Sequence, residues 1–195
     1  MLAGGLGRRM GGGKSTAVLG GRPLLQRPID AMRQAGLTVA VVAKPDTPLP
    51  ELGDDIAIWR EPVQPHHPLV GIAHALRVSG GPIVVCAGDM PFVPSALVAM
   101  LARCDGVVTV TASASALQPL LGRYSPAVLE AIDAAIAGEQ SMRGFIADLG
   151  GRAEVVGPDR LCAFGDPEIV MGDVDTQDDL RRADTTHRHT QLHTH

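Results

Sequence analysis

The sequence predicts an α/β fold built on a mostly parallel sheet, and three observations carry that reading. Short runs of small and β-branched apolar residues alternate with segments of helical periodicity along nearly the whole chain, the order that builds strand–helix–strand crossovers. Apolar residues make up 45% of the 195 residues and aromatics only 3%. The core is therefore drawn from Ala, Val, Leu and Ile, the stock of a sheet covered by helices. The chain also opens on a glycine-crowded basic loop, MLAGGLGRRMGGGKS, ahead of a helix. Its glycines let backbone N–H groups approach an anion, Arg8, Arg9 and Lys14 supply charge, and the helix adds its N-terminal dipole.

The elements follow in order. Pro23 to Ala35 sets Leu24, Leu25, Pro28, Ile29 and Met32 at near-helical spacing and closes at Gly36, which predicts the first helix. Leu37 to Ala43 reads as a buried strand stopped by Lys44-Pro45-Asp46, and Ile56 to Trp59 as a second one ending at Arg60-Glu61-Pro62. After the Pro- and His-rich link from Val63 to Pro68, Leu69, Ile72, Ala73 and Leu76 form the apolar stripe of a helix reaching Arg77. Pro82 to Ala87 is the most continuous apolar run. It enters Gly88-Asp89-Met90-Pro91-Phe92, where glycine and proline turn the chain at the strand's carboxyl end, the side on which α/β sheets place ligands. Ser95 to Arg103 predicts a helix, and Gly106 to Thr111 and Gln118 to Tyr124 predict strands. Ser125 and Pro126 open a helix with Leu129, Ile132 and Ile136 on its buried face, and Met142 to Leu149 forms another, closed by Gly150-Gly151. Ala153 to Val156 and Glu168 to Val174 are strand candidates. Thr176 with Asp179 makes a capping box for a last helix to about Ala183. One domain over 1–183 is expected, followed by a disordered tail over 184–195 that carries four of the seven histidines.

Composition excludes several function classes. A net charge of −4, with arginines scattered beyond the first loop, gives no footprint for nucleic acid. No apolar run approaches the ~20 residues of a membrane span and no signal peptide precedes the first motif, so a cytoplasmic protein with no membrane partner is expected. Cys86, Cys104 and Cys162 form no C-x-x-C pair and read as structural thiols. A P-loop is excluded by counting: Gly13-Lys14-Ser15 fits the end of G-x-x-x-x-G-K-[ST], but its first glycine falls at Arg8. Without further signals such a glycine cluster reads as a glycine-rich turn with solvated charges rather than as a phosphate site.

Further signals exist. LAGG, then Arg9-Met10-Gly11, Lys14 and Gly21-Arg22-Pro23-Leu24-Leu25 resemble the signature of the molybdenum cofactor guanylyltransferases, within the sugar-nucleotide-transferase-like nucleotidyltransferases. The resemblance runs from Leu2 to about Ala183. It implies a three-layer Rossmann-like nucleotidyltransferase fold and Mg²⁺-dependent transfer of GMP from GTP to molybdopterin or molybdenum cofactor, with release of pyrophosphate. Molybdoenzymes or cofactor-delivery proteins would be further partners.

The same resemblance implies the site. Asp89 in GDMPF matches the family's metal-binding aspartate in a D-x-P motif, and Asp175 in GDVDT is the second carboxylate, with Asp173 alternating to the same side and left open. Mg²⁺ takes one or two carboxylates plus substrate oxygens, which suits such a pair. Lys14, Arg9 and Asp89 would be catalytic. Leu2, Ala3, Gly4, Gly5, Lys14, Glu61, Gly71 and Asp89 would hold the nucleotide. Pro68-Leu69-Val70-Gly71 resembles the family's GPLxG turn, Gln118-Pro119-Leu120-Leu121-Gly122 its acceptor-side segment, and Ser141-Met142-Arg143 the segment where an arginine would meet the acceptor phosphate.

Four departures stand beside these matches. Gly13 occupies the place of an aspartate, Val42 that of a polar residue, and Arg60 that of the acidic base-contacting residue, with Glu61 one place on. Glu61 is the nominated reader of the guanine amino and ring N–H groups. Relatives also begin with several apolar residues that form the first strand, where this chain has Met1-Leu2-Ala3, so a start farther upstream is expected. The rival readings are a molybdopterin cytidylyltransferase, which Asp173-Val174-Asp175-Thr176 also resembles, and a nucleotide-binding protein without catalysis.

Overall fold

The computed structural model describes residues 1–3 and 16–192, with side chains through 186. A hairpin of β1 (Val18–Leu19) and β2 (Arg22–Pro23) leads to α1 (Gln26–Gln34), β3 (Ala40–Ala43) and β4 (Ala57–Arg60). Next come α2 (Pro68–Ser79), β5 (Ile83–Cys86), α3 (Ser95–Ala102), β6 (Val108–Ala112) and β7 (Leu117–Tyr124). The remainder is α4 (Leu129–Ala137), α5 (Met142–Asp148), β8 (Ala153–Val156), α6 (Pro158–Leu161), α7 (Pro167–Val170) and α8 (Gln177–Leu192).

Three residues join the sheet. β3 and β4 pair in parallel, and β5, β7, β6 and β8 follow one another in a separate four-stranded ladder. Leu2 lies between the two, bridging Val42 on one side and Ala87 on the other, both in parallel. Its N–H donates to Cys86 O and Gly88 N–H donates to its carbonyl, each at 2.9 Å; Ala3 N–H donates to Val42 O at 2.9 Å and Val42 N–H to Met1 O at 2.8 Å. Met1 to Ala3 thus takes the place of a central strand through these four backbone hydrogen bonds and a fifth, from the Met1 ammonium to Ala40 O at 3.0 Å. The resulting order is β4, β3, Met1–Ala3, β5, β7, β6, β8, and only β7 runs against the rest, as its antiparallel pairing with both β5 and β6 requires. The mostly parallel α/β sheet predicted from the alternating pattern is present.

Two apolar layers cover it. Neighbours on a strand point to opposite faces, so Cys86 packs with Leu25 at the start of α1, Ile29 and Met32 along it and Leu97, Val98 and Leu101 of α3, while Val85 packs with Leu69, Ile72 and Leu76 of α2, Ile132 of α4 and Phe145 of α5. Each such fully buried aliphatic side chain stabilises the fold by about 1.5–3 kcal/mol. Burial also pushes the Cys86 thiol up to about 12, which fits the packing role predicted for it.

Three elements differ from the sequence expectation. The first helix begins at Gln26 rather than Pro23, because Val18 to Pro23 closes a hairpin over Gly20 and Gly21, whose φ values of +58° and +78° suit a tight turn that glycine adopts without strain. Glu168 to Val174 is not a strand: Asp166 accepts from Glu168 N–H at 3.0 Å and Pro167 takes the first position of α7, so a local cap outweighs a weak β pattern. The last helix reaches Leu192 instead of about Ala183. No Gly or Pro interrupts Gln177 to Leu192, and the Thr185 and Thr186 hydroxyls donate to the Arg181 and Arg182 carbonyls at 3.1 Å.

Candidate functional site

The ligand edge of the sheet gathers the carboxyl ends of Met1–Ala3, β3, β4 and β5. Leu2 and Ala3 end the central segment there. Gly4, Gly5, Arg9 and Lys14 lie outside the described residues.

β4 delivers Glu61. Its N–H donates to Ala43 O at 3.1 Å, which prolongs the β3–β4 ladder by one residue and turns the side chain inward until the residue is 7% exposed. The Oε2 atom then lies against Gly71 in α2. A methyl group on Gly71 would sit 2.8 Å from that oxygen and 3.1 Å from Leu2 Cδ2, so the glycine is what lets helix, carboxylate and central segment meet. Arg60 is exposed and its guanidinium donates to Lys44 O at 2.9 Å. Of the two neighbours, Glu61 is the inward one. α2 itself is set by His67, whose Nδ1 accepts from Leu69 N–H at 3.2 Å, and by Pro68 at its first position.

β5 delivers Asp89. A methyl group on Gly88 would lie 2.5 Å from Leu25 Cδ1 and 3.3 Å from Leu2 O, so only glycine allows this strand end to close on the central segment. The Asp89 carbonyl accepts from Val174 N–H at 2.9 Å. That bond brings the segment Asp173 to Thr176 beside Asp89 although 85 residues separate the bonded pair. Val174 is buried, Asp175 is half-buried and Asp173 is exposed. Among the described residues no cluster of three potential ligands forms. Mg²⁺ takes one or two carboxylates with phosphate oxygens and water, and Asp89 and Asp175 are of the type that would fit that ion.

The predicted capping box holds Asp175 in place. Asp179 Oδ2 accepts from Thr176 N–H at 2.9 Å, from the Thr176 hydroxyl at 2.7 Å and from Asp175 N–H at 3.3 Å, and Asp179 N–H donates back to the hydroxyl at 3.1 Å. The Thr176 hydroxyl, with the Arg182 guanidinium second, holds the Asp179 carboxyl down to about 2 from its usual 3.8. A depressed carboxyl stabilises the fold in full above the unfolded value and loses that contribution as it is protonated. Asp179→Ala is therefore expected to cost about 1 kcal/mol at pH 7. In urea melts the gap from wild type should close as pH falls from about 4 toward about 2. A gap independent of pH over that window would remove the ionised carboxylate from the cap.

The acceptor-side segments take less defined positions. Gln118 is half-buried in β7, its Oε1 accepting from Leu120 N–H at 3.4 Å, and Arg143 is exposed in the first turn of α5, which Ser141 caps by accepting from Gly144 N–H at 3.1 Å. One residue escaped the sequence reading. Lys44 places its ammonium 3.5 Å from Glu61 Oε1 and donates to Pro62 O at 2.7 Å. Only the parallel register that pairs Ala43 with Arg60 sets Lys44 beside Glu61, and register between distant strands is not visible in either segment alone.

A mostly parallel sheet, with Asp89 at the end of the strand beside its central segment, is an architecture on which a nucleotidyltransferase can be built. Comparison with known proteins agrees. Residues 1–154 match the model of the MobA-like NTP transferase domain, and the chain belongs to that family. Molybdenum cofactor guanylyltransferase of Rhizobium meliloti (strain 1021) is 33% identical over 160 residues, spanning 75% of this chain and 72% of that protein. The Cereibacter sphaeroides protein of the same name is 34% identical over 154 residues, spanning 75% and 79%. Among solved structures, molybdopterin-guanine dinucleotide biosynthesis protein A from Archaeoglobus fulgidus superposes with a TM-score of 0.77 at 22% identity, over 96% of this chain and 97% of that one. No helix among the described residues is long and apolar enough to cross a membrane.

Proposed function

We propose that this enzyme is a Mg²⁺-dependent guanylyltransferase that joins the phosphate of molybdopterin, or of the molybdenum cofactor, to the α-phosphate of GTP in the cytoplasm. A phosphate oxygen of the acceptor attacks the α-phosphorus, the bond to the bridging oxygen breaks, and pyrophosphate leaves with that oxygen and its electron pair. The unit over 1–183 carries all of this chemistry. Leu2, Ala3, Gly4 and Gly5 present backbone to the base and ribose, and Gly71 lets α2 approach them. Lys14 and Arg9 neutralise the triphosphate. Asp89 and Asp175 would hold Mg²⁺, which when bound offsets charge on the phosphates where it develops.

The observation that carries the guanine reading is the buried Glu61 carboxylate, packed against Gly71 at the carboxyl edge of the sheet. A carboxylate accepts only, and guanine offers two adjacent donors, the ring N–H and the 2-amino group; cytosine offers one amino donor followed by two acceptors. A buried acceptor left unpaired costs about 1–3 kcal/mol, so GTP is expected to bind about tenfold or more tightly than ATP or CTP. Calorimetric titration of GTP, CTP and ATP into wild type and Glu61→Gln with Mg²⁺ present tests this. The substitution should remove most of the preference. A preference that survives it would leave the backbone as reader, and a wild type that prefers CTP would sink the guanylyltransferase assignment in favour of the cytidylyl rival.

A further inference from the structure

We propose that Lys44 is a second specificity-determining residue at this site, donating to the O6 acceptor of guanine while Glu61 accepts from the neighbouring donors. This rests on the guanine reading above and adds a residue that neither the motifs nor the family pattern singles out. Guanine's edge presents one acceptor followed by two donors. A site that reads all three positions needs one donor beside one acceptor, and Lys44 and Glu61 supply that order, with Nζ and Oε1 3.5 Å apart.

The ammonium is held for such a task. Parallel pairing of β3 with β4 ends at Ala43 and Arg60, so Lys44 and Glu61 leave the sheet side by side at the ligand edge. The Lys44 side chain is 17% exposed and that of Glu61 8%, so both sit where water competes weakly for their hydrogen bonds. A lysine ammonium has three donors. Among the described residues one goes to Pro62 O at 2.7 Å and one faces Glu61 at 3.5 Å, which leaves a third for a ligand. Arg60 NH1 donates to the Lys44 carbonyl and anchors the backbone from which the side chain projects. Adenine puts an amino donor where guanine has O6, so it would face the ammonium with the wrong group; cytosine, a single ring, does not span both side chains.

The test uses two analogues that change one position each. 6-Thio-GTP keeps the N–H and 2-amino donors and replaces O6 by a poor acceptor, whereas inosine triphosphate keeps O6 and lacks the 2-amino group. Both are titrated against GTP, with Mg²⁺, into wild type, Lys44→Met, Glu61→Gln and the Lys44→Met/Glu61→Gln double variant, which removes both charges together and leaves no unpaired ion. Wild type should favour GTP over 6-thio-GTP by about tenfold, the usual size of a charge-assisted hydrogen bond. Glu61→Gln should keep that ratio, and both variants lacking Lys44 should bring it within about twofold. Lys44→Met should retain the penalty for inosine triphosphate. If the ratio of GTP to 6-thio-GTP is unchanged in the double variant, or if Lys44→Met weakens every nucleotide equally, Lys44 only neutralises Glu61 and the proposal is overturned. A wild type that prefers GTP to CTP but binds 6-thio-GTP as well as GTP overturns Lys44 alone; preference for CTP overturns the guanine reading beneath it.

Discussion

On the proposed function, Asp89→Asn is expected to lower nucleotidyl transfer by about 10²–10³-fold, because the carboxylate would hold the Mg²⁺ that offsets charge on the reacting phosphates. The change is nearly isosteric. The structural bond of this residue to the last segment is made by its backbone carbonyl, which accepts from Val174 N–H at 2.9 Å and is untouched by the substitution. Melting temperature should accordingly stay close to wild type while turnover collapses, and more Mg²⁺ should be needed for the activity that remains. Pyrophosphate release measured across a Mg²⁺ series, with a melting curve on the same sample, separates the two effects. Unchanged turnover at the wild-type Mg²⁺ requirement would falsify the metal role of Asp89.

Lys14→Ala is the second large effect. Lys14 belongs to the loop whose described flanks are both tied down: Ala3 N–H donates to Val42 O at 2.9 Å before it, and Ala17 O accepts from Leu24 N–H at 2.7 Å after it. Removing one group that stabilises developing charge slows comparable reactions by about 10²-fold or more. The expected result is a higher KM for GTP together with a lower kcat, since this charge serves ground-state binding and departure of pyrophosphate alike. Lys14→Arg should recover part of both. Steady-state kinetics indifferent to Lys14→Ala would reduce Lys14 to a solvated residue of the loop and shift the charge role to Arg9.

The elements that local signals define were legible with small errors. The alternation of apolar runs and helical stripes placed strands at Leu37 to Ala43, Ile56 to Trp59 and Pro82 to Ala87, where the structure has Ala40–Ala43, Ala57–Arg60 and Ile83–Cys86, since burial on one face imposes a countable period. The Thr176–Asp179 cap was readable because both partners lie three residues apart. Where local chemistry competed, the weaker signal lost: the cap at Asp166-Pro167 displaced a strand pattern, and Gly20-Gly21 spent the first residues of the expected helix on a hairpin.

The sequence by itself determined the class of fold, the family and the cast of charged residues, because loop glycines, caps and apolar periods act over a few residues. Tertiary structure alone decided which of them meet. It set the Asp173 to Thr176 segment against Asp89 through one backbone bond from Val174, turned Glu61 rather than Arg60 toward Gly71, and laid Lys44 against Glu61 through the β3–β4 register. It also joined two ladders through Met1 to Ala3, whose backbone partners come from β3 and from the end of β5. Such pairings depend on how strands separated by a whole helix align, and no single segment encodes that alignment.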